Sequence, residues 1–488
     1  MDVKKVRHFA LRRLGAVVFF AFFEFACAGV IASGQESPNP SSTANPFYGS
    51  VTAHPATNDV LKLSLDDAVR RGLGSNLGLK EAESGEKIYQ GEKSIALQQF
   101  LPTIKASGGP GVYQFNLEAF GFRPGFFGTT GAPVPIPADF SFITRTTLTQ
   151  GRVSLDQTLF SGPVIAGWKA AGAAARSAYF AKMSARGEVV QQVATVYLRC
   201  IADASNVDNA IALEAQDKVL LDQTHESHLA GTVANLDELR ARVQLQDQQQ
   251  QVIAAKNALE KDLILLKREI GIDPGQQITL TDPAPYSDLA AQTPEEVRAT
   301  AYKNRQDYQN LQNQVEENKA IHAAYRAQRW PTLSFNGYYG VDKVSGVPSR
   351  GVFAAMGSLK MPLFREASLR GQTDAAAAQL AAVNAQLDDL RGRIDEQVRS
   401  ALLDVDATAK LVGVARSNVD LATQALSDET DRVTAGVDDN LALVTAQARL
   451  AAAQTNYVQS MYQFNLAKLG LARAAGVIEL QYRDYLGH

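Results

Sequence analysis

Cysteine is almost missing from this chain: 488 residues hold two, Cys27 and Cys200. Cys27 lies in the N-terminal apolar stretch, so a chain that loses that stretch keeps one thiol and can form no internal disulfide. Histidine is scarce as well, six in all. The close pair His225 and His228 shares a helix face at a spacing of three, but Glu226 does not complete a His-Glu-x-x-His motif and no further ligand is near in sequence. They read as solvated side chains rather than a metal site. There is no Gly-x-Ser-x-Gly, no paired-cysteine motif and no supported His/Asp/Ser set, and Gly108-Gly109-Pro110-Gly111 lacks the Lys-Ser/Thr that closes a phosphate loop. Nothing here implies catalysis, a cofactor or a bound metal. No Lys/Arg stripe interleaved with aromatics occurs and the formal charge is −3, which argues against nucleic acid as a partner. After the N-terminal stretch no run of about 18 apolar residues occurs, which excludes a helical membrane span. It does not exclude membrane strands, whose alternating pattern is far weaker.

What is present begins with an export signal. Lys4, Lys5, Arg7, Arg12 and Arg13 precede an apolar run from Leu14 to Phe23, and Ala26-Cys27-Ala28 fits a small-residue cleavage site, with Ala32 as a second. Cys27 lacks the preceding residues of a lipid-attachment cysteine. Residues 1–28 are therefore read as a signal peptide, and removing their five basic and two acidic residues takes the charge from −3 to −6. Residues 29–60, with Ser37-Pro38-Asn39-Pro40, Ser41-Ser42 and Pro46, read as a flexible polar leader. Hydrophobic residues make up 45% of the chain, enough to build a substantial core beyond them.

Proline separates two regimes. None occurs between Pro163 and Pro274, and none after Pro362, so two stretches of more than a hundred residues are free to be helix. Val189, Val193, Val196, Tyr197, Cys200 and Ile201 mark one apolar face at helical spacing. A helix over about 164–228 is roughly 100 Å long at 1.5 Å per residue. Elsewhere the period is two. Tyr113, Phe115, Leu117 and Ala119 alternate with Gln114, Asn116 and Glu118, and Val153, Leu155 and Leu159 with Arg152, Ser154, Asp156 and Thr158. The phase of the latter slips near Gly151, where a bulge is expected. Leu333, Phe335, Tyr339 and Val341, then Phe353, Ala355, Leu359, Met361 and Leu363, give two more strands. Shorter helices are expected at 63–73, opened by Ser64, and at 77–99. The Phe-rich segment 120–127 reads as an outer loop or aromatic collar.

These pieces recur. Ala230-Gly231, Asn235-Leu236, Ala241, Leu245, Gln249, Leu266, Arg268 and Gly271 return 205 residues later as Ala435-Gly436, Asn440-Leu441, Ala446, Leu450, Gln454, Leu471, Arg473 and Gly476. Leu101-Pro102-Thr103 returns as Trp330-Pro331-Thr332 and Leu159-Phe160 as Leu363-Phe364, at offsets of 229 and 204. The chain thus reads as a duplicated strand-hairpin plus long helical-hairpin unit. A first repeat spans 61–290, with strands at about 104–160 and a helical hairpin at 164–271. A second spans 291–478, with strands at 331–363 and a hairpin at 365–476, and 479–488 is a short C-terminal tail. Four strands cannot close a membrane barrel, which needs about eight or more, and an open edge in lipid costs several kcal/mol per unpaired group. Several chains must share one barrel if these strands enter a membrane.

In that order the segments resemble the outer-membrane efflux protein (TolC) family: Leu63-Ser64-Leu65-Asp66-Asp67-Ala68-Val69, Phe100-Leu101-Pro102 and Trp330-Pro331 leading into strands, Leu159-Phe160-Ser161-Gly162 and Leu363-Phe364 leading into helices, and two Ala-Gly hairpin tips. The resemblance implies a mainly α fold with a β-barrel section. Three chains would form an α-barrel tunnel capped by one shared 12-stranded outer-membrane β-barrel, with a long periplasmic extension. It implies a passive, non-enzymatic duct for efflux or type I secretion, docked on a periplasmic adaptor and an inner-membrane pump and embedded in outer-membrane lipid. The alternative from residues alone is a secreted or periplasmic coiled-coil protein, which has no use for four two-faced strands. The resemblance places adaptor contact at Ala230, Gly231, Thr232, Ala435, Gly436 and Val437, where a plain helix-hairpin turn is also required. Asp237 matches a tip carboxylate of the family. The two aperture aspartates expected after the second tip are Ala442 and Thr445 here, while Asp438, Asp439 and Asn440 stand beside the turn. Those acids either cap the returning helix or ring a narrow periplasmic aperture.

Overall fold

The computed structural model describes residues 42–51, 55–120, 141–231, 233–282, 287–290, 292–435 and 440–487. A short strand β1 (Leu61–Leu63) leads into α1 (Leu65–Ser75) and α2 (Leu77–Gln98). Strands β2 (Thr103–Asn116) and β3 (Ile143–Phe160) follow, then α3 (Gly162–Leu229) and its antiparallel return α4 (Asn235–Glu269). The second half repeats this order as β4 (Ile278–Leu280), α5 (Pro294–Asn304), α6 (Gln306–Ala327), β5 (Thr332–Val344), β6 (Arg350–Lys360), α7 (Glu366–Thr434) and α8 (Asn440–Ala474), and α9 (Ile478–Leu486) ends the chain.

The repeat holds residue by residue. α1 and α5 both have 11 residues and α2 and α6 both have 22, each pair starting 229 positions apart; α4 and α8 both have 35, starting 205 apart. Local capping chemistry sets the ends. The Ser64 hydroxyl accepts from the Asp67 amide, and Thr293 with Glu296 forms a reciprocal capping box. Both return helices end alike: Gly271 and Gly476 sit at φ +72° and +75°, with Ile272 N–H on Lys267 O and Val477 N–H on Ala472 O.

α3 is the spine, at 68 residues about 100 Å long. It packs on α2 and α6 along one part and on α4 and α8 along another, while α7 packs on α6 and α8. The core surrounds Val189, Val193, Val196, Tyr197 and Cys200 of α3, with Leu63, Leu266, Ile394, Leu471 and Leu486 contributed by both halves. β1 and β4 pair in parallel across the repeat, and the Tyr197 hydroxyl reaches the Leu63 carbonyl at 2.9 Å beside them.

Four expectations are corrected. The leader is not free over its described part: Asn76 Nδ2 donates to Phe47 O at 2.6 Å, Leu77 N–H to Gly49 O and Val51 N–H to Ser75 O. These bonds satisfy groups at the α1–α2 junction, and Phe47 packs against Gly78, where no side chain intervenes. The short tail is a helix, because Tyr482, Tyr485 and Leu486 of α9 are buried in the main core. β2–β3 pairing runs without a break past Gly151; the irregularity falls between Thr158 and Phe160, where β3 passes from β5 toward α3. Leu117–Phe120 is a 3₁₀ turn rather than strand, and most of the Phe-rich loop lies outside the described residues.

Candidate channel: a two-faced sheet and the helical tips

The four long strands form one antiparallel sheet in the order β2-β3-β5-β6, so the two repeats join at β3–β5 while, among the described residues, β2 and β6 pair on one side only. Each strand has at least 11 residues, enough to cross a bilayer as a tilted strand. The strands alternate in direction. Copies placed in a ring would therefore set β6 antiparallel to β2 of the next copy and keep the alternation unbroken.

Register fixes what each face carries, since side chains alternate across the sheet. One face holds Ile104, Pro110, Val112, Val153, Leu155, Phe335, Tyr339, Val341, Phe353 and Leu359. Phe353 is 78% exposed and Val112 76%, values that suit a hydrocarbon neighbour and not water. Arg145, bonded to Gln114 at 2.7 Å, and Lys343 sit on this face only near the end away from the helices.

The other face is a polar network. Arg152 donates to Asp342 at 2.9 Å and lies 4.7 Å over the Tyr338 ring. Asp156 accepts from Asn336 at 2.8 Å and pairs with Lys105 at 3.5 Å. Gly340, directly across from Arg152, makes the room: a Cβ there would meet the Gly151 carbonyl and the Arg152 stem. Tyr113, Phe115 and Met356 also lie on this side. Sequence reading named Arg152 and Asp156 only as polar members of an alternation. Their partners in β5 needed the register, although their shared parity was a visible signal.

At the far end of the helices, Ala230 caps α3 and Gly231 takes φ +75°, the left-handed turn expected there. Thr232, Gly436, Val437, Asp438 and Asp439 lie outside the described residues; Ala435 caps α7 and Asn440 begins α8. Asp237 pairs with Arg240 at 3.0 Å within its own helix. Glu238, buried, joins the two helices of the first hairpin, meeting His225 Nδ1 at 3.2 Å and Arg242 at 2.9 Å. His228 Nδ1 is 3.1 Å from the Val233 carbonyl, so neither histidine is simply solvated. Among the described residues no group of three or more His, Cys, Asp or Glu could hold a metal, and no helix is long and apolar enough to cross a membrane.

The helical body buries charges that sequence reading passed over. Glu269 accepts from Gln192 at 3.1 Å, and burial pushes its carboxyl up to about 8. Lys468, buried under Phe464 with Nζ donating to Ser287 O at 3.1 Å, is lowered by burial to about 8. Arg199 holds Asp262 at 2.6 Å, and the neighbouring Asp203 is raised by burial and by Asp262.

The fold has known counterparts. The outer membrane protein VceC from Vibrio cholerae superposes with a TM-score of 0.70 at 16% identity, over 84% of this chain and 96% of that one. The CmeC outer membrane channel of Campylobacter jejuni gives 0.69 at 15% identity, over 89% and 92%. The open state of the MtrE outer membrane channel of Neisseria gonorrhoeae gives 0.68 at 17%, over 88% and 95%. At such identities the likeness is one of fold alone. No curated protein matches the sequence significantly. The outer membrane efflux protein family matches residues 69–271 and 297–477, which are the two repeats and most of the chain. The chain belongs to the outer membrane efflux protein family and has the fold of its channels.

Proposed function

We propose that this protein is the outer-membrane duct of a tripartite export system, a passive conduit driven by an inner-membrane pump through a periplasmic adaptor. The observation that carries the reading is the sheet: four membrane-length strands, apolar on one face and ionic on the other, with β2 and β6 unpaired on their outer sides among the described residues. In lipid such edges need partners. Three copies arranged head to tail give a closed barrel of twelve strands with antiparallel pairing throughout. The helical hairpins then extend the lumen into the periplasm. Their exposed apolar residues, such as Leu403, Leu411 and Leu421 of α7, have neighbouring copies to pack on.

The tips are the docking surface for the adaptor in this reading, with Ala230, Gly231 and Thr232 on one hairpin and Ala435, Gly436 and Val437 on the other. Asp237, Asp438, Asp439 and Asn440 stand nearest the periplasmic aperture. What supports the tip assignment is their position at the ends of the long hairpins, where a partner can reach them without competing with the packed body.

The test is a pair of bulky substitutions that spare the turn glycines. Thr232→Trp and Val437→Trp should leave detergent-extracted trimer at the parental level while export in cells falls. Normal export at matched trimer levels removes the tips as the contact surface, and a folded monomer in the outer membrane removes the duct itself.

A further inference from the structure

The four sheet strands differ in charge from the rest of the chain. They carry Lys105, Arg145, Arg152, Lys343, Arg350 and Lys360 against Asp156 and Asp342 only, six cations to two anions in a chain whose formal charge is −3. Both carboxylates are on the polar face and both are occupied. Asp342 accepts from Arg152 at 2.9 Å, and Asp156 pairs with Lys105 at 3.5 Å while accepting from Asn336.

Two further cations share that face. Arg350 is directly across from Asp342, and Lys360 from Thr332, and neither makes an ion pair with a described residue. Arg350 lies toward the end of the sheet away from the helices, and Lys360 is at the strand–helix junction. Asp342 is bonded to Arg152 and makes no ion pair with Arg350 across from it, so one carboxylate leaves one of the two guanidinium groups unneutralised. The face keeps an excess of two positive charges per chain, one at each end.

We propose that the barrel lumen is an anion-selective passage and that this duct favours anionic cargo, small organic carboxylates or similarly charged solutes. The inference rests on the proposed channel, which makes the polar face the lumen wall. Threefold repetition would turn Arg350 and Lys360 into two cationic rings, the arrangement by which pores favour anions. Fixed charge of one sign raises the local concentration of the opposite ion over a Debye length, about 10 Å at 0.1 M salt and about 3 Å at 1 M. The sign is opposite to that of the carboxylates Asp237, Asp438 and Asp439 at the other end of the tunnel. The barrel and the tips would therefore act on permeating ions separately.

The test is ion selectivity of the purified full-length protein in planar bilayers under a KCl gradient. The doubly substituted Arg350→Gln/Lys360→Gln protein should show an anion-to-cation permeability ratio lower by about two-fold or more near 0.1 M, with the difference closing near 1 M. Arg152→Gln/Asp342→Asn removes a pair without changing net charge and should leave the ratio near the parental value. Asp438→Asn/Asp439→Asn should move it the other way if those acids line the aperture, and leave it unmoved if they only cap α8. A parental ratio in the Arg350→Gln/Lys360→Gln protein, with conductance intact, overturns the anion preference. Absence of any conductance from the parent protein, with trimer present, overturns instead the channel reading on which it rests.

Discussion

The helical body and the sheet are built on opposite plans. Val193 and Tyr197 of α3 are fully buried, whereas Val112 and Phe353 of the sheet are more than three-quarters exposed. In the body a core of apolar side chains is enclosed by the helices, and the exposed ion pairs are scattered, worth little each. In the sheet one face carries exposed apolar side chains such as Val112, Val153 and Phe353, and the ion pairs are gathered on the other, Arg152 with Asp342 and Lys105 with Asp156. A water-soluble two-layer protein would cover the apolar face of such a sheet with helices. Here the helices continue beyond the strands. On the proposed function, the difference is that of one chain folded for two solvents, with lipid as the neighbour that the exposed face of the sheet requires.

That contrast can be strained from each side. In the body the ordinary rule should hold. Leu266→Ala and Leu471→Ala, equivalent positions in the two repeats and both fully buried, should each cost about 2–5 kcal/mol and lower the unfolding temperature of the detergent-extracted protein. A loss well below that range at either position would mean the core tolerates a cavity there. In the sheet the rule should invert. Val153→Lys, on the outward face, should cost about 2–4 kcal/mol of barrel stability in lipid, while Ser154→Lys one residue along should be tolerated. Trimer yield from outer membranes reads both variants, and equal yields would erase the distinction between the faces.

The smallest effects concern charges buried in the body. The Glu269 carboxyl is raised from 4.5 to about 8, so the folded protein holds a proton there that the unfolded chain releases. Its contribution to stability therefore falls as pH rises from about 4.5 to 8. Lys468 is lowered from 10.5 to about 8, so between those values the unfolded chain binds the extra proton and stability rises with pH. Glu269→Gln should flatten the first slope and Lys468→Met the second in thermal unfolding followed across pH. Slopes unchanged in both variants would mean that these side chains reach water.

Much of this was legible from residues. The 205-residue recurrence marks α4 and α8 with matching lengths, the proline-free stretches hold α3 and α7, and Ser64 caps α1 as its position suggests. Both faces of the strands follow from alternation. Cross-strand partnership does not. The slip anticipated at Gly151 is at Thr158, because a bulge depends on which neighbour the strand is leaving, and Arg152 finds Asp342 only once β3 and β5 are in register. Tyr482 and Tyr485 fell within what read only as a short tail, because α9 is held by packing on α3, far away in sequence, as well as on α8. Glu269 and Lys468 passed unnoticed because a charge in a helix is ordinarily solvated, and only the tertiary packing encloses these two. Thr232, Gly436, Val437, Asp438 and Asp439 remain assigned by the resemblance and by position alone.

The central claim is that adjacent residues of one strand face different solvents. Tyr338 and Tyr339 of β5 are neighbours on opposite faces of the sheet. Spin labels placed singly at the two positions in protein reconstituted into lipid bilayers would read this directly. The account predicts that oxygen, which concentrates in hydrocarbon, relaxes the label at 339 more strongly, and that a water-soluble nickel chelate relaxes the label at 338 more strongly. Equal accessibility of both labels to the chelate would contradict it, leaving the sheet in water and the chain without a barrel.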